Sequence, residues 1–311
     1  AWPNDLDTAL EFSSANPFSI SAPKSWDGKL EYTNGNGWKT WDGSAIASGE
    51  IENNHCIYLR GTGNSKITGA NSSSATWSIG GTNIACNGDI DLLLDYSTVK
   101  GGNHPAMADY CYYFMFYGCT SLTTAPSLPA TTLANYCYYY MFQGCTSLTA
   151  APSLPATTLA NYCYSSMFQG CTSLTAAPSL PATTLANSCY RSMFRGCTSL
   201  TAAPSLPATT LANYCYYYMF QGCTSLTAAP SLPATTLAKY CYPSMFQGCS
   251  KIKLSATASG TYTKAYRIPK SGTGTTASGA LSGMFGSTGG TFKGTPEINT
   301  TYYLDKSNTI V

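Results

Sequence analysis

Residues Asn135 to Ala160 read NYCYYYMFQGCTSLTAAPSLPATTLA, and the architecture turns on how this stretch is read. It recurs. Cys111, Cys137, Cys163, Cys189, Cys215 and Cys241 lie 26 residues apart, and so do Cys119, Cys145, Cys171, Cys197, Cys223 and Cys249. Six copies of a Cys-Tyr-x-x-Met-Phe-x-Gly-Cys core fall between residues 111 and 249. Five copies of Leu-Pro-Ala-Thr-Thr-Leu-Ala join them, beginning at Leu128, Leu154, Leu180, Leu206 and Leu232. A unit this short cannot bury a core alone, so the copies must stack on their neighbours.

Each copy has two textures. Cys137, Met141 and Cys145 are spaced i, i+4, i+8, with Tyr138 and Phe142 beside them. That spacing predicts the apolar stripe of a short helix, stopped by Gly144. Thr146 to Leu159 is rich in Ser, Thr, Ala and Pro, with spaced Leu148, Leu154 and Leu159. It predicts extended chain and turns, since Pro152 and Pro155 each remove a backbone donor. Pro243 holds the helix of the last copy to two or three turns, because proline is tolerated only in a first turn.

The copies also differ from one another, and the differences are confined. Positions equivalent to 137, 138, 141, 142, 144 and 145 carry one residue type throughout. Positions equivalent to 136, 139, 140 and 143 vary, and on a helix these form the opposite face. The face carries Tyr110, Tyr113, Phe114 and Tyr117, then Tyr136, Tyr139, Tyr140 and Gln143, then Tyr162. Arg191 and Arg195 follow, then Tyr214, Tyr217, Tyr218 and Gln221, and last Tyr240. We take these residues as the candidate ligand-binding set. A solvated helix face ordinarily uses Glu, Lys and Gln. Tyr, Ser, Gln and Arg are the palette of recognition surfaces.

Met141-Phe142-Gln143-Gly144-Cys145-Thr146-Ser147-Leu148-Thr149, with Leu154-Pro155 and Leu159-Ala160, resembles the repeat of the BspA-like leucine-rich-repeat family. The resemblance covers about 140 of the 311 residues. The chain departs from the family between Leu159 and Met167, where it is longer by about one helical turn. The resemblance implies a curved leucine-rich-repeat-like solenoid and a role in adhesion or recognition at surfaces. Variants with the longer repeat are associated with gut bacteria and their phages. The family's substrates and partners do not carry over.

The remaining signals bound the function. Charged residues make up 10% of the chain and the formal net charge is +2, which points neither to nucleic acid nor to an anionic membrane. No run of about 20 apolar residues occurs, so no membrane insertion is expected. The opening Ala1-Trp2-Pro3-Asn4 shows no signal peptide, which leaves a cytosolic protein, a removed leader or another export route. There are two histidines and none in the copies, a poor supply of acid-base groups. Cysteine spacings of 8 and 18 fit no zinc pattern. Fourteen cysteines allow a disulfide framework, but we read the twelve in the copies as free, buried and stacked in ladders. Disulfides between neighbouring segments are the alternative. Asp89, Asp91 and Asp95 lack the glycine and final glutamate of a calcium loop.

Outside the copies, Leu30 to Trp41 carries a hairpin signal around Asn34-Gly35 and Asn36-Gly37. Cys56–Gly61 and Ala75–Gly80 read as further strands. Ser282-Gly283-Met284-Phe285-Gly286 echoes the repeat. The expected fold is therefore an α/β repeat solenoid, a short helix plus an extended segment per unit. An N-terminal β-sandwich-like domain over residues 1–104 precedes the copies at 105–250, and a degenerate repeat and C-terminal cap follow at 251–311. The expected function is that of a non-enzymatic adhesin or receptor-binding protein without a cofactor or metal. It would recognise a protein or glycan on a host or neighbouring cell, at an extracellular, cell or virion surface such as a phage tail. The alternative is a structural subunit of a fibre, virion or extracellular assembly that self-associates through the same face.

Overall fold

The computed structural model describes residues 1–269 and 279–311. In it, the segment expected to be helical is a run of four-residue turns. Tyr139, Met141, Gln143 and Cys145 donate their N–H groups three residues back, at 3.1–3.3 Å, to Tyr136, Tyr138, Tyr140 and Phe142. The residues between them donate outward. Tyr136, Tyr138, Tyr140, Phe142 and Gly144 reach the carbonyls of Asn161, Cys163, Ser165, Met167 and Gln169 in the next copy at 2.8–3.1 Å. Alternate N–H groups thus close a turn or join two copies, and the backbone is satisfied either way. Each turn passes through one left-handed residue: Tyr136 at φ 57°, Tyr140 at φ 56°, Gly144 at φ 72°. Side chains other than glycine lose about 1–2 kcal/mol there. The shared hydrogen bonds and ring stacking between copies offset that cost.

This overturns the α/β, leucine-rich-repeat-like solenoid with a helix in each unit. The one α-helix among the described residues, Leu92–Lys100, lies before the copies, as do two single 3-10 turns at Leu6–Thr8 and Ser72–Ser74, and the rest of the ordered structure is β-strand and turn. The candidate face is accordingly a face of turns, not of helices. The reason is physical. Eight residues of α-helix overshoot two full turns by about 80°, so Cys137, Met141 and Cys145 would drift around it. Four-residue turns keep them aligned. A helix also bonds its backbone internally and packs about 8–10 Å from the next. These copies share backbone bonds and set equivalent rings 4.7–6.0 Å apart.

The inward face is continuous. Tyr112, Tyr138, Tyr164, Tyr190, Tyr216 and Tyr242 stack at 5.6–6.0 Å and are buried. Phe116, Phe142, Phe168, Phe194, Phe220 and Phe246 form a second column that continues to Phe285. The cysteines are buried and free. Cys145, Cys171, Cys197, Cys223 and Cys249 each donate a thiol hydrogen to a phenylalanine carbonyl of the preceding copy at 3.0–3.1 Å. From copy to copy the Ser-Thr-rich stretches pair only at isolated bridges such as Thr132 with Thr158 and Thr184 with Thr210, while Leu122–Thr124 and Ala228–Ala229 pair with Ile84–Asn87 and Thr309–Ile310 outside the copies. Their prolines interrupt anything longer.

Both open ends are occupied. Ile67 and Trp77 donate to the carbonyls of Cys111 and Met115 in the first copy. They belong to an N-terminal module built from two sheets. One runs in the order Leu122–Thr124, Ile84–Asn87, Leu10–Ser14, Asn54–Thr62, Lys29–Thr33, Lys39–Thr40, with Gly49–Ile51 also on Asn54–Thr62. The other is Ile46–Ala47, Ser19–Ser21, Ser78–Gly80. Trp26, Trp41, Trp77 and Phe12 are packed in its core. At the far end Tyr242, Ser244, Phe246 and Gly248 donate to Ala280, Ser282, Met284 and Gly286. The stretch that echoes the repeat thus supplies a seventh rung.

Candidate functional site

The four varied positions of each copy form four outward rows. In the first row Tyr110 stacks on Tyr136 at 4.8 Å and Tyr136 on Tyr162 at 4.7 Å, with planes within 5°. Ser188 interrupts the row, and Tyr214 and Tyr240 resume it at 5.0 Å. In the second, Tyr113 stacks on Tyr139 at 5.3 Å, Ser165 follows, and Arg191 lies over Tyr217 at 5.1 Å. In the third, Phe114 stacks on Tyr140 at 4.7 Å, Ser166 and Ser192 follow, and Tyr218 resumes. The fourth holds Tyr117, Gln143, Gln169, Arg195, Gln221 and Gln247, with Arg195 over Tyr218 at 5.4 Å.

Rings of adjoining rows meet edge to face, as Tyr136 and Tyr139 do at 74° and Tyr139 and Tyr140 at 73°. The face is therefore a set of interlocked columns, not separate side chains. Tyr117 and Arg195 are exposed, and every other candidate residue is half-buried against its neighbours. Tyr117 also lines a shallow cleft with Trp77, Gly81 and Ser121 at the junction with the N-terminal module.

Burial and neighbouring hydroxyls keep four phenols of the face, those of Tyr113, Tyr136, Tyr139 and Tyr217, neutral. Burial and then the Tyr140 phenol raise Tyr139 above the ordinary tyrosine value. The adjoining Tyr218 hydroxyl, then burial, pushes Tyr217 up to about 12. Tyr113 and Tyr136 are raised by burial. At neutral pH these hydroxyls are donors as well as acceptors.

Nothing on this face resembles a reacting constellation. Burial raises the thiols of the copies, Cys163 and Cys171 to about 12, so they are not poised as thiolates. The three aspartates weighed as a calcium cluster have separate partners. Asp89 accepts from the Asp91 N–H, Asp91 from the Tyr112 hydroxyl at 2.7 Å, and Asp95 from the Gly63 and Thr98 N–H groups. Among the described residues no cluster of three His, Cys, Asp or Glu is set to hold a metal ion.

Gln169 and Gln247, which the spacing places on the varied face but which the candidate set leaves out, belong to the row of Gln143 and Gln221, and Gln221 donates to Gln247. One feature escaped the sequence reading, a column beside the first row. Asp109, Asn135, Asn161, Asn187 and Asn213 each accept, through a side-chain oxygen, the N–H of the equivalent residue in the next copy at 3.0–3.2 Å. It ends at Lys239, which has no side-chain acceptor to offer. The run of Asp and Asn at 26-residue spacing was its signal. No family model matches the chain, and no curated protein or solved structure matches it either.

Proposed function

We propose that the chain is a non-enzymatic recognition protein of a cell or virion surface that binds a macromolecular partner through the outward tyrosine rows. The observation that carries the reading is the confinement of variation to one face. The Ser-Thr-rich stretches and the inward columns are nearly identical from copy to copy, while the outward rows change from Tyr to Ser to Arg. Random drift would have scattered changes over the exposed threonines as well. Stacking supports the same reading, because rings already held by neighbours lose little freedom when a partner covers them.

The test is a protein and glycan array probed with the purified chain beside its Tyr139→Ala/Tyr218→Ala variant. A target captured by the first and lost by the second supports the proposal. A target captured equally by both sinks it. Light scattering on the same samples separates the alternative: filaments or rings that disappear in the variant would make the face a self-assembly surface.

A further inference from the structure

The sequence contains no carboxylate side chain between Asp109 and Glu297. Within residues 110–249 the charged side chains are Arg191, Arg195 and Lys239. Two of the three stand on the outward rows of the fourth copy, one turn apart. They occur where tyrosine gives way to Ser165, Ser166, Ser188 and Ser192, all four buried beneath their neighbours. Arg191 rests over the Tyr217 ring at 5.1 Å and Arg195 over the Tyr218 ring at 5.4 Å. Tyr139 lies near enough on the other side for the Arg191 charge to favour its ionised form.

Arg60 shows how this chain treats a structural arginine. It is buried, pairs with Asp5 at 2.6 Å and Glu31 at 3.2 Å, and lies over Trp38. Arg191 and Arg195 have the ring contacts without the carboxylates. Among the described residues neither guanidinium has an ion-pair or hydrogen-bond partner. Each keeps five N–H donors in a planar fork that matches a carboxylate.

The surroundings select the same charge. An aromatic ring is negative on its face and positive at its rim. Stacking covers ring faces within each bank, Arg191 and Arg195 lie over Tyr217 and Tyr218, and the Tyr139 and Tyr140 faces toward Ser165 and Ser166 carry no stacked ring. A partner at the centre meets phenol hydroxyls, glutamine amides and two cations that have no carboxylate, and that charge disfavours a neutral ligand. It suits a peptide, whose carboxylates take the guanidiniums and whose carbonyls take the hydroxyls.

We infer that Arg191 and Arg195 form the centre of a site for an acidic peptide segment of a partner protein. Asp or Glu carboxylates pair with the two guanidiniums, and the flanking residues lie on the banks Tyr139–Tyr140 and Tyr217–Tyr218. The inference rests on the recognition role proposed for this face and adds the ligand's charge and class.

The probe is a fluorescein-labelled oligoglutamate, titrated by anisotropy, with oligolysine and oligogalacturonate as controls. The wild-type chain binds oligoglutamate in preference to both controls, and added salt weakens the binding. Arg191→Gln/Arg195→Gln weakens it by about tenfold or more, and Arg191→Lys/Arg195→Lys keeps part of it. Matching melting curves establish that the variants fold. Equal binding by the glutamine variant overturns the inference, and so does a preference for oligogalacturonate. Salt-sensitive self-association abolished in the glutamine variant also overturns it, since the occupant would be a second copy. The wider reading fails separately: it falls if Tyr139→Ala/Tyr218→Ala keeps an array target, whatever the arginine variants do.

Discussion

Tyr138 and Tyr139 are neighbours in sequence and do opposite work. Tyr138 is 1% exposed and stacks between Tyr112 and Tyr164 inside the copies. Tyr139 is half-buried and stacks on Tyr113 outside them. The residue type and the stacking mode are the same; only the position within a four-residue turn differs. The inward column is unchanged through every copy, whereas the outward row passes from Tyr139 to Ser165 to Arg191 and back to Tyr217. The comparison separates two uses of aromatic stacking. Inside, it fills the core. Outside, it stiffens a surface whose chemistry is free to vary.

The largest expected effect lies on the inward side. Phe168→Ala removes a fully buried ring between Phe142 and Phe194. A cost of about 3–5 kcal/mol is expected, from lost transfer energy and the cavity left behind. Urea unfolding followed by tyrosine fluorescence measures it. A cost below about 1 kcal/mol would mean that the column collapses around the gap and is not a packed core.

A second effect tests where the inward column begins. Asp91 accepts the Tyr112 hydroxyl at the first rung, and burial pushes its carboxyl up to about 6. A raised carboxyl value favours the protonated form in the folded state. Stability linked to Asp91 is therefore complete below its ordinary value near 4 and is lost as pH climbs through 6. The loss amounts to about 3 kcal/mol if the whole shift is expressed. Asp91→Asn should flatten the decline between pH 4 and pH 6. A decline of the same slope in the variant would place its origin elsewhere.

Much of this arrangement was legible in the sequence and one decisive part was not. The period, the inward set Cys137, Tyr138, Met141, Phe142 and Cys145, and the outward set were all in the spacing. The backbone was not, because over ten residues the drift of about 80° that a 3.6 period brings still fits within one apolar stripe, so spacing alone reads as either a helix or four-residue turns. The difference lies in φ. Tyr140 at φ 56° carries no sequence mark of the left-handed region, and only the third equivalent position, Gly144, is a glycine. Pro243 was the clue within reach. Inside a helix it would clash, whereas here it forgoes one intra-turn hydrogen bond and its carbonyl still accepts from Tyr218. The arginine pair was legible as charge, but its placement over Tyr217 and Tyr218 required the stacking of copies.

The smallest effect discriminates turns from helices by its sign. Ser166 sits at φ 54°. Ser166→Gly relieves about 1–2 kcal/mol of left-handed strain and adds back somewhat less as unfolded-chain entropy. The expected net gain is about 0.5 kcal/mol. In a helix the same change would cost about 0.5–1 kcal/mol. A clear loss of stability in Ser166→Gly would restore the helix.

The contrast between the two faces is tested most directly by melting two double variants side by side in a calorimeter. Tyr139→Ala/Tyr218→Ala cuts two outward rings, and Tyr138→Ala/Tyr216→Ala cuts two inward ones. The first is expected to melt within a few degrees of wild type, because a partly exposed ring gives up little burial. The second is expected to lose cooperative unfolding of the copies or to melt far lower, since each buried aromatic is worth about 3–5 kcal/mol. Equal depression of the two melting temperatures would contradict the account, because the outward rings would then be core and not a surface kept for a partner.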